Sequence, residues 1–211
     1  MYMDKTPGQK LISAFQTKKC WMIKPLAEQM NYSIPSVRRF LARTNYFSSF
    51  THNGKWYTLA SIPRFNIDGL WFYQDIGFSK YGPLTHTLVN LVETSISGMT
   101  ADQLGKLLRC RCHAVLVQLC RKGSLKRQKH GASYVYLSID PDKADVQEKT
   151  LQKHHAPLPA ELAVLVLAAF IQTPGADLAL LAKTVFQKTG IVISTEQVQM
   201  LFKVHGLKKT A

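Results

Sequence analysis

Met22-Ile23-Lys24-Pro25-Leu26-Ala27-Glu28-Gln29-Met30-Asn31-Tyr32-Ser33-Ile34-Pro35-Ser36-Val37-Arg38-Arg39-Phe40-Leu41 is the stretch whose reading decides the fold. Ile23, Leu26, Ala27 and Met30 recur at spacings of three and four, which predicts a short helix with one buried face. Asn31-Tyr32 interrupts it. Ser33 offers an N-cap oxygen, Pro35 suits a first helical turn, and Val37, Phe40 and Leu41 continue the apolar stripe on a second helix. Ser36, Arg38, Arg39 and Arg43 fall on or beside its outer face. Residues 46–51 and 56–59 are rich in aromatic and β-branched side chains and flank His52-Asn53-Gly54-Lys55, so a hairpin around the Asn-Gly pair is expected.

The same order of parts recurs downstream. Residues 84–95 are apolar at helical spacing through Leu88, Leu91 and Val92; Thr100 caps 101–108; Arg109-Cys110-Arg111 forms a turn; and 112–122 carries Val115, Leu116 and Leu119 on a third helix that Gly123 ends. A hairpin is expected from residues 124–128 and 133–138, with Lys129-His130-Gly131-Ala132 at its tip.

These two stretches resemble the winged helix-turn-helix family of bacterial transcriptional regulators. The resemblance implies that the third helix of each unit enters the major groove while the hairpin, the wing, flanks the backbone or minor groove. By position it implies base contacts from Ser36, Arg38 and Arg39 in the first unit, with Ser33, Arg43, Asn53 and Lys55 around them. In the second unit the matching positions are His113, Ala114, Val117 and Gln118, of which only His113 and Gln118 can hydrogen-bond a base. That unit is expected to grip phosphates through Arg109, Arg111, Arg121, Lys122, Lys126, Arg127 and Lys129.

Charge follows the same division. Residues 1–60 carry nine Lys and Arg against two Asp and Glu, residues 61–138 ten against four, and residues 139–211 eight against seven, within a total of +14. The excess therefore sits on the two units, where it attracts a polyanion. Residues 1–9 are polar and lack the apolar core of a signal peptide, and the longest apolar stretch, 162–171, is far short of a membrane span of about twenty residues. A cytoplasmic, nucleoid-associated protein with no membrane partner is expected.

Four cysteines allow a metal or redox reading. Cys110, Cys112 and His113 cluster, but a structural zinc site wants two separated ligand pairs, so no metal or other cofactor is expected. The cysteines read as small core residues; the other reading is a redox thiol at Cys110 or Cys112, activated by Arg109 and Arg111. Between the units, residues 61–83 hold Phe65, Leu70, Trp71, Phe72, Tyr73, Ile76, Phe78 and Tyr81, too much apolar surface for a plain linker. They read as packing that fixes one unit against the other, or alternatively as a stacking platform for unpaired bases.

Residues 139–158 read as a polar linker with a short helix. Its acids Asp140, Asp142, Asp145 and Glu148, and the pair His154-His155, read as solvated rather than metal-binding. From 159 onward three helices are expected, over 159–172, 177–189 and after Ser194. Gly190-Ile191-Val192-Ile193-Ser194, followed by Val198, Leu201 and Phe202, resembles the helix-turn-helix of transposase DNA-binding portions. Glu196 and Gln197 at the exposed start of the last helix argue against DNA contact there. The apolar girth of the 159–172 helix points to self-association as a homodimer, with intrachain packing as the other reading.

The sequence thus predicts an α+β chain, mainly helical with small β-hairpins: one unit over 1–60, a structured connector over 61–83, a second unit over 84–138, a linker, and a helical domain over 159–211. No catalytic signature emerges, so no enzyme is expected. The expected function is sequence-specific binding of double-stranded DNA, as a transcriptional regulator or mobile-element accessory factor, alone or with a transposase or other protein partner. An adaptor whose winged units bind protein within a nucleoprotein assembly is the alternative.

Overall fold

Thr6 and Gln9 cap one another across the first turn of a helix that the periodicity from Met22 onward does not include. Gln9 N–H donates to Thr6 Oγ1 at 3.4 Å and Thr6 N–H to Gln9 Oε1 at 3.0 Å, opening α1 (Pro7–Thr17) with Pro7 in its first turn. Leu11, Ala14 and Phe15 on α1 bury against α2 (Ile23–Met30) and α3 (Ile34–Thr44), whose Leu26, Ala27, Met30, Val37 and Leu41 complete the core. The first unit therefore has three helices, the earliest being the Thr6-x-x-Gln9 helix. A computed structural model describes residues 6–130, 133–155 and 158–207.

The sheet beside these helices has three strands rather than two. β2 (Tyr46–Ser48) and β3 (Trp56–Leu59) pair antiparallel, and the two-residue β1 (Trp21–Met22), directly ahead of α2, pairs with β3 through Trp21–Tyr57 and Met22–Trp56. The expected strand over 46–51 stops at Ser48. Beyond it Ser49 N–H still donates to Trp56 O at 2.8 Å, but Ser49 also bridges to Phe78 and Phe50 N–H donates to Gly77 O, so the backbone of residues 49 and 50 turns toward the connector.

The second unit repeats this order. α4 (Leu84–Thr94), β6 (Met99–Thr100), α5 (Ala101–Leu108), α6 (His113–Arg121), β7 (Lys126–His130) and β8 (Ser133–Leu137) follow one another as their counterparts do. The strand order β6-β8-β7 mirrors β1-β3-β2. Both turns between second and third helix use a non-glycine residue in the left-handed region, Asn31 at φ 58° and Arg109 at φ 53°. The core gathers Leu88, Leu91, Val92, Leu104, Leu108, Leu116, Leu119 and the buried Tyr136. The hairpin tip residues 131 and 132 lie outside the described residues.

Between them stands a hairpin, β4 (Leu70–Tyr73) and β5 (Ile76–Ser79), turning at Gln74. Its two faces serve two cores. Phe72 meets Phe50 edge-on at 5.8 Å, and Phe50 with Leu70 enters the core of the second unit. On the other face Phe78 and Ile76 bury with Cys20 against Phe47, Trp56, Phe65, Trp71 and Tyr73. Phe50 N–H donates to Gly77 O at 2.9 Å, and Ser49 bridges to Phe78. The connector is thus mortar between the two units: of the aromatic side chains considered as a base platform, Phe65, Trp71, Phe72, Tyr73 and Phe78 pack among themselves and against the units, while Tyr81 lies under Lys80 at 4.9 Å. Residues up to Lys143 form one compact body.

A second body runs from Ala144 onward. Residues 141–155, expected to be a linker with a short helix, are a continuous helix, α7 (Pro141–His155), begun by Asp140 Oδ1 accepting from the amides of Asp142 and Lys143. Asp145 pairs with Lys149 at 2.6 Å, one turn on. The side chains of His154 and His155 lie outside the described residues. α8 (Ala160–Gln172), α9 (Leu178–Thr189) and α10 (Thr195–Val204) enclose a separate core of Leu162, Val166, Leu181, Val185, Val198 and Phe202. Ser194 caps α10 as expected, and Asp177, expected to open the helix over 177–189, is its cap, accepting from Leu180 N–H at 2.6 Å. No described helix is long and apolar enough to cross a membrane.

Candidate nucleic-acid interface

Val37 and Leu41 turn inward from α3, so Ser36, Arg39 and Arg43, at steps of three and four, line its outward face with Arg38 beside them. Arg38, Arg39 and Arg43 are exposed. Ser33, the N-cap, accepts from Ser36 N–H at 3.4 Å and exchanges a hydroxyl hydrogen bond with Ser36 at 3.0 Å; Arg39 Nη2 reaches Ser36 Oγ at 3.4 Å. The helix start is therefore a small hydroxyl cluster with a guanidinium folded loosely over it. Among the described residues no carboxylate pairs with Arg38, Arg39, Arg43 or Lys55. Such cations are free to meet phosphate or a base edge without first breaking an ion pair.

On α6 the matching face is poorer in charge. His113, Ala114, Gln118 and Arg121 are exposed and Val117 half-buried. The basic groups lie around it: Arg109 and Arg111 in the turn, Lys122 at the helix end, and Lys126, Arg127 and Lys129 on β7, all exposed. Arg127 lies over the Tyr134 ring at 4.9 Å and Arg109 over Phe72 at 4.3 Å, which stiffens both guanidiniums. Arg109 thus also bonds the second unit to the connector, a role its sequence position does not signal.

Each unit carries a shallow notch where its second helix turns into its third. In the first unit it is lined by Lys24, Glu28, Asn31, Tyr32, Ser33 and Ile34, with a volume of about 530 Å³. In the second it is about 570 Å³ and is lined by Asp102, Lys106, Arg109, Arg111 and His113 with their neighbours. Lysine and glutamate balance in the first notch, whereas three permanent cations face one carboxylate in the second. The α3 end is capped by Ser33, but the cap position of α6 is Cys112, which gives no side-chain cap and points its thiol to Ala101 O at 3.5 Å.

Burial raises the thiols of Cys20, Cys110, Cys112 and Cys120 above the ordinary value, Cys20 to about 11. The alternative reading of Cys110 or Cys112 as a thiol activated by Arg109 and Arg111 gains no support, because burial disfavours the thiolate and moves both groups the other way. A neutral-pH thiol reagent should leave Cys20 unmodified in the folded protein and titrate it only in denaturant; rapid labelling of Cys20 under native conditions would contradict its burial. Among the described residues no cluster of three or more His, Cys, Asp or Glu side chains could hold a metal ion.

On the C-terminal body, Gln197 is not an outward group at the helix start: its side chain accepts from Ser194 N–H at 3.0 Å and closes a capping box. Glu196 is exposed. Neither a protein-family model, nor a curated protein, nor a solved structure matches the chain.

Proposed function

We propose that the protein binds double-stranded DNA sequence-specifically through two winged helix-turn-helix units, as a regulator of transcription or an accessory factor of a mobile element. One observation carries the reading. The order helix, strand, helix, helix, strand, strand occurs twice with the same sheet order, and in both copies basic side chains that pair with no carboxylate among the described residues gather on the third helix or around it and on the hairpin. Groove insertion of a helix flanked by a β-hairpin needs this arrangement, and phosphate attraction needs the charge.

The two units divide the work in this reading. α3 offers three arginines and two serine hydroxyls, able to read guanine edges and to touch phosphate; α6 offers little hydrogen-bonding chemistry of its own but a cationic surround, so it holds backbone. The connector hairpin gives the pair a defined separation before DNA arrives, which lowers the ordering cost of binding. In the C-terminal body, Val164 and Ile171 lie seven residues apart on α8, 64% and 75% exposed, and support self-association through that helix.

A mobility-shift titration across salt concentrations, with duplex and single-stranded competitors, tests this. Duplex is expected to compete best, and log affinity should fall with log salt by about 0.9 for each phosphate neutralised. Salt-insensitive binding, or indifference to duplex, would favour the protein-binding adaptor instead.

A further inference from the structure

The first hairpin turns at its tip through three consecutive residues with positive φ: His52 at 52°, Asn53 at 54° and Gly54 at 71°. Only the last is glycine. A run of left-handed residues is opposed by contact between Cβ and the following carbonyl, and it persists where surroundings over-determine it. Within the tip Gly54 N–H reaches Thr51 O at 3.1 Å and Lys55 N–H reaches His52 O at 3.2 Å. The rest of the support comes from Ser49 and Thr51 beside it and from the connector hairpin.

Thr51 is the hub of that support. It is a buried polar residue, and its Oγ1 accepts from Gly77 N–H at 2.9 Å, 26 residues away in sequence. The same oxygen lies 3.0 Å from His52 Nδ1, and His52 Nε2 lies 3.3 Å from Asp75 Oδ2. Bonding capacity gives the chain a direction for neutral histidine: Gly77 N–H to Thr51, Thr51 O–H to Nδ1, and Nε2–H to Asp75. Ser49 Oγ closes the other side by donating to Thr51 O at 2.8 Å. Asp75 is 77% exposed, so its pairing with His52 is weak alone, whereas the bond from Gly77 N–H to Thr51 is buried. What these bonds hold outward is the exposed pair Asn53 and Lys55.

We propose that Thr51, with His52 and Asp75, is a positioning device for DNA recognition: it clasps the first wing to the connector, so that Asn53 and Lys55 meet duplex phosphate from a pre-set left-handed turn. This rests on the duplex-binding reading above. Thr51 touches no ligand itself; it acts through Lys55 and Asn53, and through it the connector sets the geometry of a contact that neither β4 nor β5 makes.

The test is a double-mutant cycle on duplex affinity, using the full chain. Lys55→Ala is expected to weaken duplex binding about fivefold and to lower the salt slope by about 0.9, the signature of one lost phosphate contact. Thr51→Val, which keeps the shape and removes the hydroxyl, should reproduce both changes. The double variant should then be no weaker than Thr51→Val alone, and Thr51→Ser should restore wild-type values. Additive losses, or a Thr51→Val variant with an unchanged salt slope, would overturn the proposal. Amide exchange in the free protein is read in parallel: the amides of Gly54, Lys55 and Gly77 should exchange at least about tenfold faster in Thr51→Val than in wild type. If wild type binds no duplex, the functional reading fails and with it the wing's role on DNA, while the exchange result still decides whether the clasp exists.

Discussion

Replacing Gly77 by alanine is expected to lower the stability of the N-terminal body by about 2–3 kcal/mol, the upper part of the range for overpacking a filled core. An added Cβ would stand 2.4 Å from Phe50 Cζ and 2.8 Å from both Cε atoms. The ring has no easy retreat. Phe50 is 5% exposed, packs edge-on against Phe72, and belongs to the core containing Leu70, Leu88 and Leu104. Its own backbone is tied to the Gly77 carbonyl, so ring and glycine cannot separate without loss of that bond. Thermal unfolding compares wild type, Gly77→Ala, Phe50→Ala and the double variant. Phe50→Ala alone should cost about 3–5 kcal/mol through the cavity it leaves. In its presence the added methyl has somewhere to go, so the double variant should be clearly more stable than the sum of the singles implies. A neutral Gly77→Ala, or strict additivity, would mean that Phe50 does not join the first hairpin to the second core as described.

Arg38→Ala with Arg39→Ala should abolish discrimination between a preferred duplex and a random one, while leaving salt-dependent binding to both. The first unit's third helix has two neighbouring arginines that pair with no carboxylate among the described residues, and bidentate pairing with guanine contributes about 1–3 kcal/mol of discrimination per residue. Loss of both therefore weakens the preferred site by about 2–6 kcal/mol if each reads a guanine. The control is Arg109→Ala with Arg111→Ala in the second unit. There a nearly uniform weakening across sequences and a shallower salt dependence are expected, because the basic groups surround a helix face of His113, Ala114, Val117 and Gln118. Because Arg109 also covers the Phe72 ring, thermal stability must be followed in that variant. Competition binding against a selected duplex separates the two patterns. Equal effects of the two pairs on discrimination would remove the division of labour, and no effect of either would remove the DNA reading.

Where local pattern and tertiary demand coincide, the chain is readable from its residues alone. Ala101–Leu108 is bounded by Thr100 and by Arg109 because a capping oxygen, an apolar stripe and a turn fall in order. The same logic places the caps Ser33, Asp177 and Ser194. The outward cations of α3 are equally legible, since helical spacing sends them away from Val37 and Leu41. α1 was legible too: Thr6, Gln9, Leu11, Ala14 and Phe15 carry its cap and stripe, but lie before the stretch whose periodicity is strongest.

Other features have no local signature. Two-residue strands such as Trp21–Met22 and Met99–Thr100 exist only because β3 and β8 offer an open edge. The departure of residues 49–51 from the expected hairpin follows from Gly77, and the role of Arg109 from Phe72. Composition showed that the aromatic connector had to be buried. Which core each ring enters was settled by the pleat of a hairpin whose alternate residues face two different units. Sequence alone determined helices, caps and the sign of the surface, because those depend on neighbours three or four residues away. Tertiary structure alone decided how the two repeats are joined and how the first tip is held, because those bonds close over distances such as the 26 residues from Thr51 to Gly77, which no local period encodes.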